Sequence, residues 1–359
     1  MATTTEREQT VTADGDLLAR YARQVIHPAI GADGQRRIAA GRVLLVGCGA
    51  LGTHIADALA RAGVGYLRIV DRDFIELNNL QRQVLFDEHD LARGLPKAVA
   101  AAEKLARINS SIAVEPHVDD VNAGNIVALV EGVDVVVDGT DNFETRYLLN
   151  DAAVRAGKSW VYGGVLASYG MTMTVVPGQT ACLRCVFRDP PPPGLAPTCD
   201  TAGVLGPAVA AVAALQASET LKLLLGAHDA INRDLLSLDV WRLAFDRLPV
   251  SRAADCPTCG DGERRYPYLD FGAASRTTSL CGRNAVQVAL NPPASLALAD
   301  LAARLGASGS VAHNEHLLRF QPDSPPGYEL VLFPNGRAIV HGTDDPATAK
   351  SLYSRYIGL

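Results

Sequence analysis

Short apolar runs alternate with helical patterns through the first half of the chain. Residues 42–47 (RVLLVG), 66–71 (YLRIVD) and 133–140 (VDVVVDGT) are each followed by a segment of helical periodicity. This alternation is typical of a doubly wound parallel sheet. From residue 169 (YGMTMTVVP) the side chains alternate with period two, which predicts that the sheet continues in antiparallel strands. We therefore expect an α/β fold with a Rossmann-like, doubly wound mixed sheet.

The remaining patterns divide the chain. Residues 1–16 are polar and predict a flexible N-terminus. Residues 188–206 (RDPPPPGLAPTCDTAGVLG) predict a long crossover loop, followed by a helix and two strands that complete a unit at 17–265. Residues 259–275 read as a linker. We expect 266–359 to form a small α+β domain without an assigned role, with helices over 295–306 and 345–358 and strands over 284–290, 316–321, 328–333 and 336–342.

Charge and composition narrow the class of partner. The 359 residues carry a formal net charge of −6, which argues against nucleic acid as the main partner. The first sixteen residues contain no apolar leader, and the apolar segment 207–226 carries Gln216, Glu219 and Lys222, which favours a buried helix over a membrane span. We expect a cytoplasmic protein without a membrane partner, in a compartment where thiols stay reduced.

Three spaced glycines follow the first strand. In LLVGCGALG, Gly47, Gly49 and Gly52 permit a tight turn and close approach of the backbone to phosphate at a helix N-terminus. The next strand ends at Asp71, whose carboxylate suits ribose hydroxyls. These features alone fit a nicotinamide-dependent oxidoreductase as well as an enzyme that cleaves its nucleotide.

The residues after Asp71 favour cleavage. Two cations near a nucleotide are typical of a polyphosphate whose charge rises during reaction, and hydride transfer has no such requirement. The polar residues that follow the strand are Asp73, Asn79, Arg82, Gln83 and Lys97.

A further carboxylate follows the strand at 133–140. Asp141 and Asn142 lie where ligands bind at the carboxyl edge of such sheets, and a carboxylate near triphosphate oxygens suits Mg²⁺.

Each of these residues also has a structural alternative. Asp141 could be a helix N-cap, Asp73 could cap a turn, and Lys97 could be a solvated helix-start lysine. Arg82, and likewise Arg23 near the N-terminus, could form surface ion pairs.

Four of the seven cysteines form two C-x-x-C pairs, Cys182/Cys185 and Cys256/Cys259. Four thiolates make a closed tetrahedral Zn²⁺ site. The spacing alone leaves open a redox pair or unrelated buried thiols. Cys48 reads as a packed loop thiol, and Cys281 as a small buried residue with a sulfur-handling role as the alternative.

Over about residues 17–265 the sequence resembles the ThiF/MoeB group of ubiquitin-activating-type adenylyltransferases. The resemblance rests on RYARQ, GCGALG, DRDFIELNNLQRQ, GLPKA and GTDN, together with the two cysteine pairs. It implies ATP bound by the glycine loop and Asp71, and a structural zinc at the four cysteines. It also implies phosphate contacts from Asn79, Arg82 and Lys97, Mg²⁺ at Asp141, and an Arg23 contributed across a homodimer interface.

The resemblance also implies a reaction. Such enzymes use ATP to adenylate the C-terminal glycine of a small ubiquitin-like sulfur-carrier protein that ends in Gly-Gly, with release of pyrophosphate. A carboxylate nucleophile is already ionised at neutral pH, so no side-chain base is needed. The cysteine matching Cys199 forms a covalent thioester or persulfide with the carrier in some relatives; the alternative here is an incidental loop cysteine. A sulfurtransferase or cysteine desulfurase is the expected sulfur donor, since residues 266–359 lack the cysteine loop of a rhodanese.

Three other functions compete with this one. An oxidoreductase leaves Arg82, Lys97, Asp141 and the four cysteines without a purpose. A non-catalytic scaffold or heterodimer partner would not require Arg82, Lys97 and Asp141, so their presence argues against this alternative. The third is activation of a small acid or of a modified tRNA base, as in the related tRNA dehydratases, and the negative net charge disfavours tRNA.

Overall fold

The computed structural model describes residues 18–190, 202–270, 277–280, 284–289 and 295–357. The expected flexible N-terminus at 1–16 lies outside these ranges, as does most of the predicted crossover loop. Two sheets organise the described chain, one of eight strands and one of six.

The first sheet is mixed. Its strand order is β3-β2-β1-β4-β5-β6-β7-β8, with parallel pairing from β3 to β5 and antiparallel pairing from β5 to β8. This confirms the predicted change of strand direction after residue 166. The strands are β1 Arg42–Val46, β2 Tyr66–Val70, β3 Ala113–His117, β4 Val135–Asp138, β5 Ser159–Leu166, β6 Tyr169–Val175, β7 Leu235–Asp239 and β8 Ala244–Leu248.

Helices cover both faces of this sheet. Alternate residues of β1 enter two hydrophobic clusters, Val43 and Leu45 one of them and Leu44 and Val46 the other. The sheet is therefore buried on both sides, as its near-continuous apolar strands require. The helices of this part are α1 Ala22–Val25, α2 Gly31–Ala40, α3 Ala50–Ala62, α4 Glu88–Ala92, α5 Lys97–Ile108, α6 Ile126–Val130, α7 Phe143–Arg155, α8 Leu183–Val186, α9 Gly206–Leu225 and α10 Pro267–Asp270, with 3₁₀ turns at Leu77–Asn79 and His228–Ala230.

Helix α9 is, within the described ranges, the one helix long and apolar enough to cross a membrane. In this fold it packs against α3, β5 and β6. Its polar residues Gln216 and Glu219 are buried there, and Glu219 accepts a hydrogen bond from Thr174 Oγ1 at 2.9 Å. As the sequence predicted, α9 is a core helix of the first sheet.

The second sheet is antiparallel throughout. Its strand order is β11-β12-β13-β14-β10-β9, and two helices pack on it around a separate hydrophobic cluster. The predicted strands and both helices are present. Two further strands, β9 and β11, lie at the edges and escaped sequence analysis. The elements are β9 Thr277–Leu280, β10 Ala285–Val288, α11 Leu298–Leu305, β11 Gly309–His313, β12 Leu318–Pro322, β13 Glu329–Leu332, β14 Ala338–His341 and α12 Pro346–Tyr356.

Candidate active site

The glycine loop joins β1 to α3 at the carboxyl edge of the parallel strands. Gly47 has φ +87°, and a Cβ there would lie 2.6 Å from the carbonyl oxygen of Gly139. A Cβ on Gly52 would lie 2.0 Å from the carbonyl oxygen of Gly47. A Cβ on Gly49 would meet only Gln83 Nε2, at 3.9 Å. Two of the glycines therefore permit backbone packing, and the third leaves open space beside the N-terminus of α3.

Asp71 lies beside this loop, at the end of β2. Its Oδ2 accepts a hydrogen bond from the Cys48 amide at 2.6 Å, and its Oδ1 accepts one from the Asp73 amide at 2.7 Å. Burial raises the pKa of Asp71, and the charge of Lys97 opposes this rise. Burial also raises the pKa of the Cys48 thiol. Cys48 is thus a packed, protonated thiol at neutral pH, as its sequence context indicated.

Lys97 begins α5 directly opposite Asp73. Its ammonium lies 3.1 Å from Asp73 Oδ2, and its amide donates to the Asp73 carbonyl at 2.9 Å. The Lys97 side chain is only 3 % exposed. The alternative of a solvated helix-start lysine is therefore wrong, because this charge is buried and paired at the glycine loop.

The turn after β2 holds the next three predicted residues. Asn79 is buried and accepts from the Glu76 amide at 3.1 Å, so its side chain caps the 3₁₀ turn. Arg82 Nη1 donates to the Asn78 carbonyl at 2.7 Å. Gln83 is buried beside Gly49, and its Oε1 has no hydrogen-bond partner within the part of the chain described. A buried amide oxygen without a partner is costly, and marks a place where a ligand donor fits.

Asp141 is exposed after β4, immediately before α7. The N-cap of α7 is Asn142, whose side chain accepts from the Thr145 amide at 2.9 Å. The structural alternative that Asp141 is the cap is therefore wrong. The turn itself is fixed by a buried pair that the sequence did not reveal, in which Arg146 Nε lies 3.1 Å from Asp138 Oδ2.

Arg72 is a second residue that sequence reasoning missed. Burial lowers its pKa, but the carboxylates of Asp120, Asp73 and Asp141 outweigh that effect and raise it. Its guanidinium thus lies among acidic groups from three loops at the same sheet edge. The available signal was the position of Arg72 between Asp71 and Asp73 in the chain.

The other predicted residues are not joined to this cluster by any described contact. Arg23 is exposed on the short helix α1. Cys199 and Cys281 lie outside the described residues.

The four paired cysteines meet at one point. Their sulfur atoms all lie within 4.8 Å of one another, with Sγ···Sγ distances of 3.6 Å between Cys182 and Cys256 and 3.3 Å between Cys185 and Cys259. These separations exceed a disulfide bond and are near the roughly 3.8 Å edge of a tetrahedral Zn–thiolate site. The donor set and its burial fit Zn²⁺ and exclude the alternative of unrelated thiols.

Hydrogen bonds connect this cysteine cluster to α7. Asn150 donates to Cys182 Sγ at 3.8 Å, and Asp151 Oδ1 accepts from Thr258 Oγ1 at 3.0 Å. Such partners orient metal ligands. Because α7 begins at the Asp141 turn, one helix joins the cysteine cluster to the sheet edge that carries the glycine loop.

Comparison with known proteins identifies the family. The model of the ThiF family matches residues 21–258, which include the glycine loop, Lys97, Asp141 and three of the four paired cysteines; Cys259 follows directly after the matched range.

The chain belongs to the ThiF family. Among its relatives, the sulfur carrier protein ThiS adenylyltransferase of Bacillus subtilis (strain 168) is 43% identical over 347 residues, covering 95% of this chain and 100% of that protein. The SAMP-activating enzyme E1 of Haloferax volcanii is 42% identical, covering 70% of this chain and 93% of that one. The Bacillus match therefore extends into the second sheet.

Solved structures of ThiF-like proteins share the fold. Escherichia coli MccB with succinimide superposes with a TM-score of 0.60 and 24% sequence identity, covering 67% of this chain and 74% of that one. Microcin C7 biosynthetic enzyme MccB in complex with N-formylated MccA gives a TM-score of 0.60. At this identity the likeness is one of fold.

Proposed function

We infer that this protein is an ATP-dependent adenylyltransferase that activates the C-terminal glycine of a ubiquitin-like sulfur-carrier protein. The observation that carries the inference is the match with the Bacillus relative, since it spans that whole protein and 95% of this chain. The buried Lys97 beside the glycine loop supports it, because redox use of a dinucleotide requires no such cation.

The residues at the glycine loop fit a nucleotide. Gly49 leaves room for phosphate, Gln83 Oε1 lacks a partner among the described residues, and Asp71 retains lone pairs after accepting two amides. We propose that Gly47, Gly49, Gly52, Asp71, Asp73, Gln83 and Asn142 hold ATP, with phosphate contacts from Asn79, Arg82 and Lys97.

In the proposed reaction a carboxylate oxygen of the carrier attacks the α-phosphorus of ATP. A carboxylate–phosphorus bond forms while the bond to the bridging oxygen breaks, and pyrophosphate leaves with the electron pair. Lys97 and Arg82 balance the charge that develops on the phosphate oxygens. Asp141 would hold Mg²⁺, which supplies further charge neutralisation when bound.

Further parts of the proposal concern the carrier and the assembly. The carrier is a small protein ending in Gly-Gly. The Cys199 thiolate attacks the carbonyl of the carrier's acyl-adenylate, so that a thioester forms while the bond to AMP breaks and AMP leaves. A sulfurtransferase or cysteine desulfurase supplies sulfur to the adenylate. The enzyme is a cytoplasmic homodimer in which Arg23 completes the partner's site, and residues 17–265 and 266–359 are its two domains.

Isotope exchange between pyrophosphate and ATP tests the function. Exchange is expected only with a carrier whose C-terminal Gly-Gly is intact, and a carrier lacking the final glycine is the matched control. Oxidation of NADH without exchange would instead establish an oxidoreductase. Carrier binding without exchange would establish a scaffold.

A further inference from the structure

Buried and partly buried polar groups connect the second sheet to the residues beside the glycine loop. Arg337, which precedes β14, is 2 % exposed. Its Nη2 donates to the carbonyl oxygen of Arg72, and its Nη1 donates to Gln287 Oε1 at 3.3 Å. Gln287 on β10 donates to Asp120 Oδ2 at 2.6 Å, and Asp120 Oδ1 lies 2.8 Å from Arg72 Nη1. The second sheet thus holds both the backbone and the side chain of Arg72.

The path continues to Lys97. Arg72 Nε lies 3.8 Å from Asp73 Oδ1, and Asp73 Oδ2 lies 3.1 Å from Lys97 Nζ. The Asp73 amide also donates to Asp71, which in turn accepts from the glycine loop. A displacement of residues 72–73 therefore displaces the lysine ammonium and the Asp71 carboxylate together.

Apolar packing supports the same segment. Phe74 is 5 % exposed and belongs to one cluster with Leu317, Val331 and Phe333 of the second part of the chain. The Arg319 guanidinium lies over the Phe74 ring, 4.3 Å from its centroid. Residues 72–74 are therefore held between the glycine loop and the second sheet.

We propose that Arg337 is a positioning residue for the adenylation reaction, which sets the placement of Lys97 by anchoring residues 72–73 to the second sheet. The proposal rests on the proposed function, in which Lys97 contacts the phosphates.

The chemistry of Arg337 suits this role. Burial lowers the pKa of Arg337 to about 10, so the guanidinium stays charged at neutral pH. A buried charge contributes little net stability but restricts geometry when its hydrogen bonds are directional. A misplacement of about 1 Å far from the reacting atoms costs on the order of 100-fold in rate.

The first test compares Arg337→Met with Arg337→Lys in the full chain. Methionine keeps an unbranched apolar stem but removes the guanidinium, whose Cζ lies 3.6 Å from the Phe333 ring centroid, and with it every donor. We expect kcat for carrier-dependent pyrophosphate exchange to fall about tenfold with KM for the carrier unchanged, and Arg337→Lys to recover part of the loss. The control is Arg304→Met, an exposed arginine on α11 whose guanidinium donates to the Ile357 carbonyl, and it is expected to leave kcat unchanged.

A second readout is independent of activity. Amide hydrogen exchange at Lys97, whose N–H bonds the Asp73 carbonyl, is expected to accelerate in Arg337→Met while exchange in β4 stays constant. Arg337→Met is also combined with Asp73→Asn. If Arg337 acts through Asp73, the double variant loses less than about twofold beyond Asp73→Asn alone.

Three results overturn the proposal: a wild-type kcat in Arg337→Met, unaltered amide exchange at Lys97, or multiplicative losses in the double variant. The proposed function is tested separately, because it fails if the wild-type chain shows no isotope exchange between pyrophosphate and ATP. In that case the amide hydrogen exchange at Lys97 still decides whether Arg337 positions Lys97. Should Arg337→Met not fold, Gln287→Met is used, which removes only the link from Arg337 to Asp120. It is expected to show the same pattern at about threefold, and a wild-type result in that variant overturns the proposal.

Discussion

Gly49 and Gly52 lie three residues apart in one loop, yet they tolerate a methyl group very differently. At Gly52 the methyl carbon would lie 2.0 Å from the Gly47 carbonyl oxygen, whereas at Gly49 its nearest neighbour is a side-chain nitrogen at 3.9 Å. Backbone packing therefore requires glycine at position 52. At position 49 the protein itself leaves room for a methyl group, so the need for glycine there points to a bound ligand.

This difference predicts two distinct phenotypes. Gly52→Ala is expected to lower the melting temperature by several degrees and to abolish exchange, since overpacking costs about 1–3 kcal/mol. Gly49→Ala is expected to leave the melting temperature unchanged and to raise KM for ATP at least tenfold. Thermal denaturation and exchange kinetics check both; equal melting losses would contradict the assignment.

Asp141 offers a second prediction at this scale. Asp141→Ala is expected to reduce exchange at least 100-fold with an unchanged melting temperature, because Asn142 and not Asp141 caps α7. Glu131→Ala, at another exposed carboxylate just before β4, is the control. A large drop in melting temperature would make Asp141 a structural residue.

At the residue scale, the sequence indicated the groups whose pattern lies within one short segment of the chain. The glycine spacing, Asp71 at a strand end and the cysteine pairs are all local patterns. Arg72 and Asp120 were missed because they pair across 48 positions, and Arg337 contacts Arg72 across 265. Arg146 lies only eight positions from Asp138, but that spacing belongs to no motif. No local pattern encodes such a pair.

At the scale of elements, α9 and β5 show how the core fixes the site. Gln216 on α9 donates to the Asp138 carbonyl at 2.7 Å and lies where a side chain on Gly163 would project. A Cβ on Gly163 would approach Gln216 Oε1 to 2.3 Å. The glycine of β5 therefore lets α9 reach the end of β4, just before the Asp141 turn.

We expect Gly163→Ala to destabilise the protein by about 1–3 kcal/mol through this overlap. Differential scanning calorimetry measures the change. Gly262→Ala, at a position with open space and no positive φ, is the control and is expected to be neutral. If both variants have the same melting temperature, α9 and β5 can move apart to accept the methyl group, and the prediction is wrong.

The sequence predicted those elements whose residues show a strong hydrophobic pattern. The buried strands β4 and β10 stand out as apolar runs. β11 has the sequence GSVAH, is mostly exposed and, among the described strands, pairs with β12 alone, so neither burial nor alternation marks it. An edge strand of this kind forms because it pairs with a neighbouring strand, and its own residues do not indicate which strand that is.

On the scale of the whole molecule, the four cysteines join segments seventy residues apart. Removal of the metal by a strong chelator is expected to lower the melting temperature, and native mass spectrometry is expected to find one zinc per chain. Cys256→Ser should lose the metal and Cys48→Ala should keep it, because Cys48 is not in the cluster. Retention of zinc by Cys256→Ser would exclude the four-thiolate site.

The proposed homodimer makes a prediction of its own. Arg23→Ala and Lys97→Ala are each expected to be inactive, and mixing them should restore about a quarter of the wild-type activity. This follows because half of the random dimers are mixed and each mixed dimer has one intact site. Exchange assays after co-refolding measure the recovery; no recovery would place Arg23 outside the partner's site.

The polar path from Arg337 to Lys97 has a thermodynamic consequence. Coupling free energies are reciprocal. If packing of the second sheet raises the affinity for nucleotide, bound nucleotide stabilises that packing by the same free energy. ATP bound as proposed is therefore expected to strengthen the packing of residues 72–74 against the second sheet.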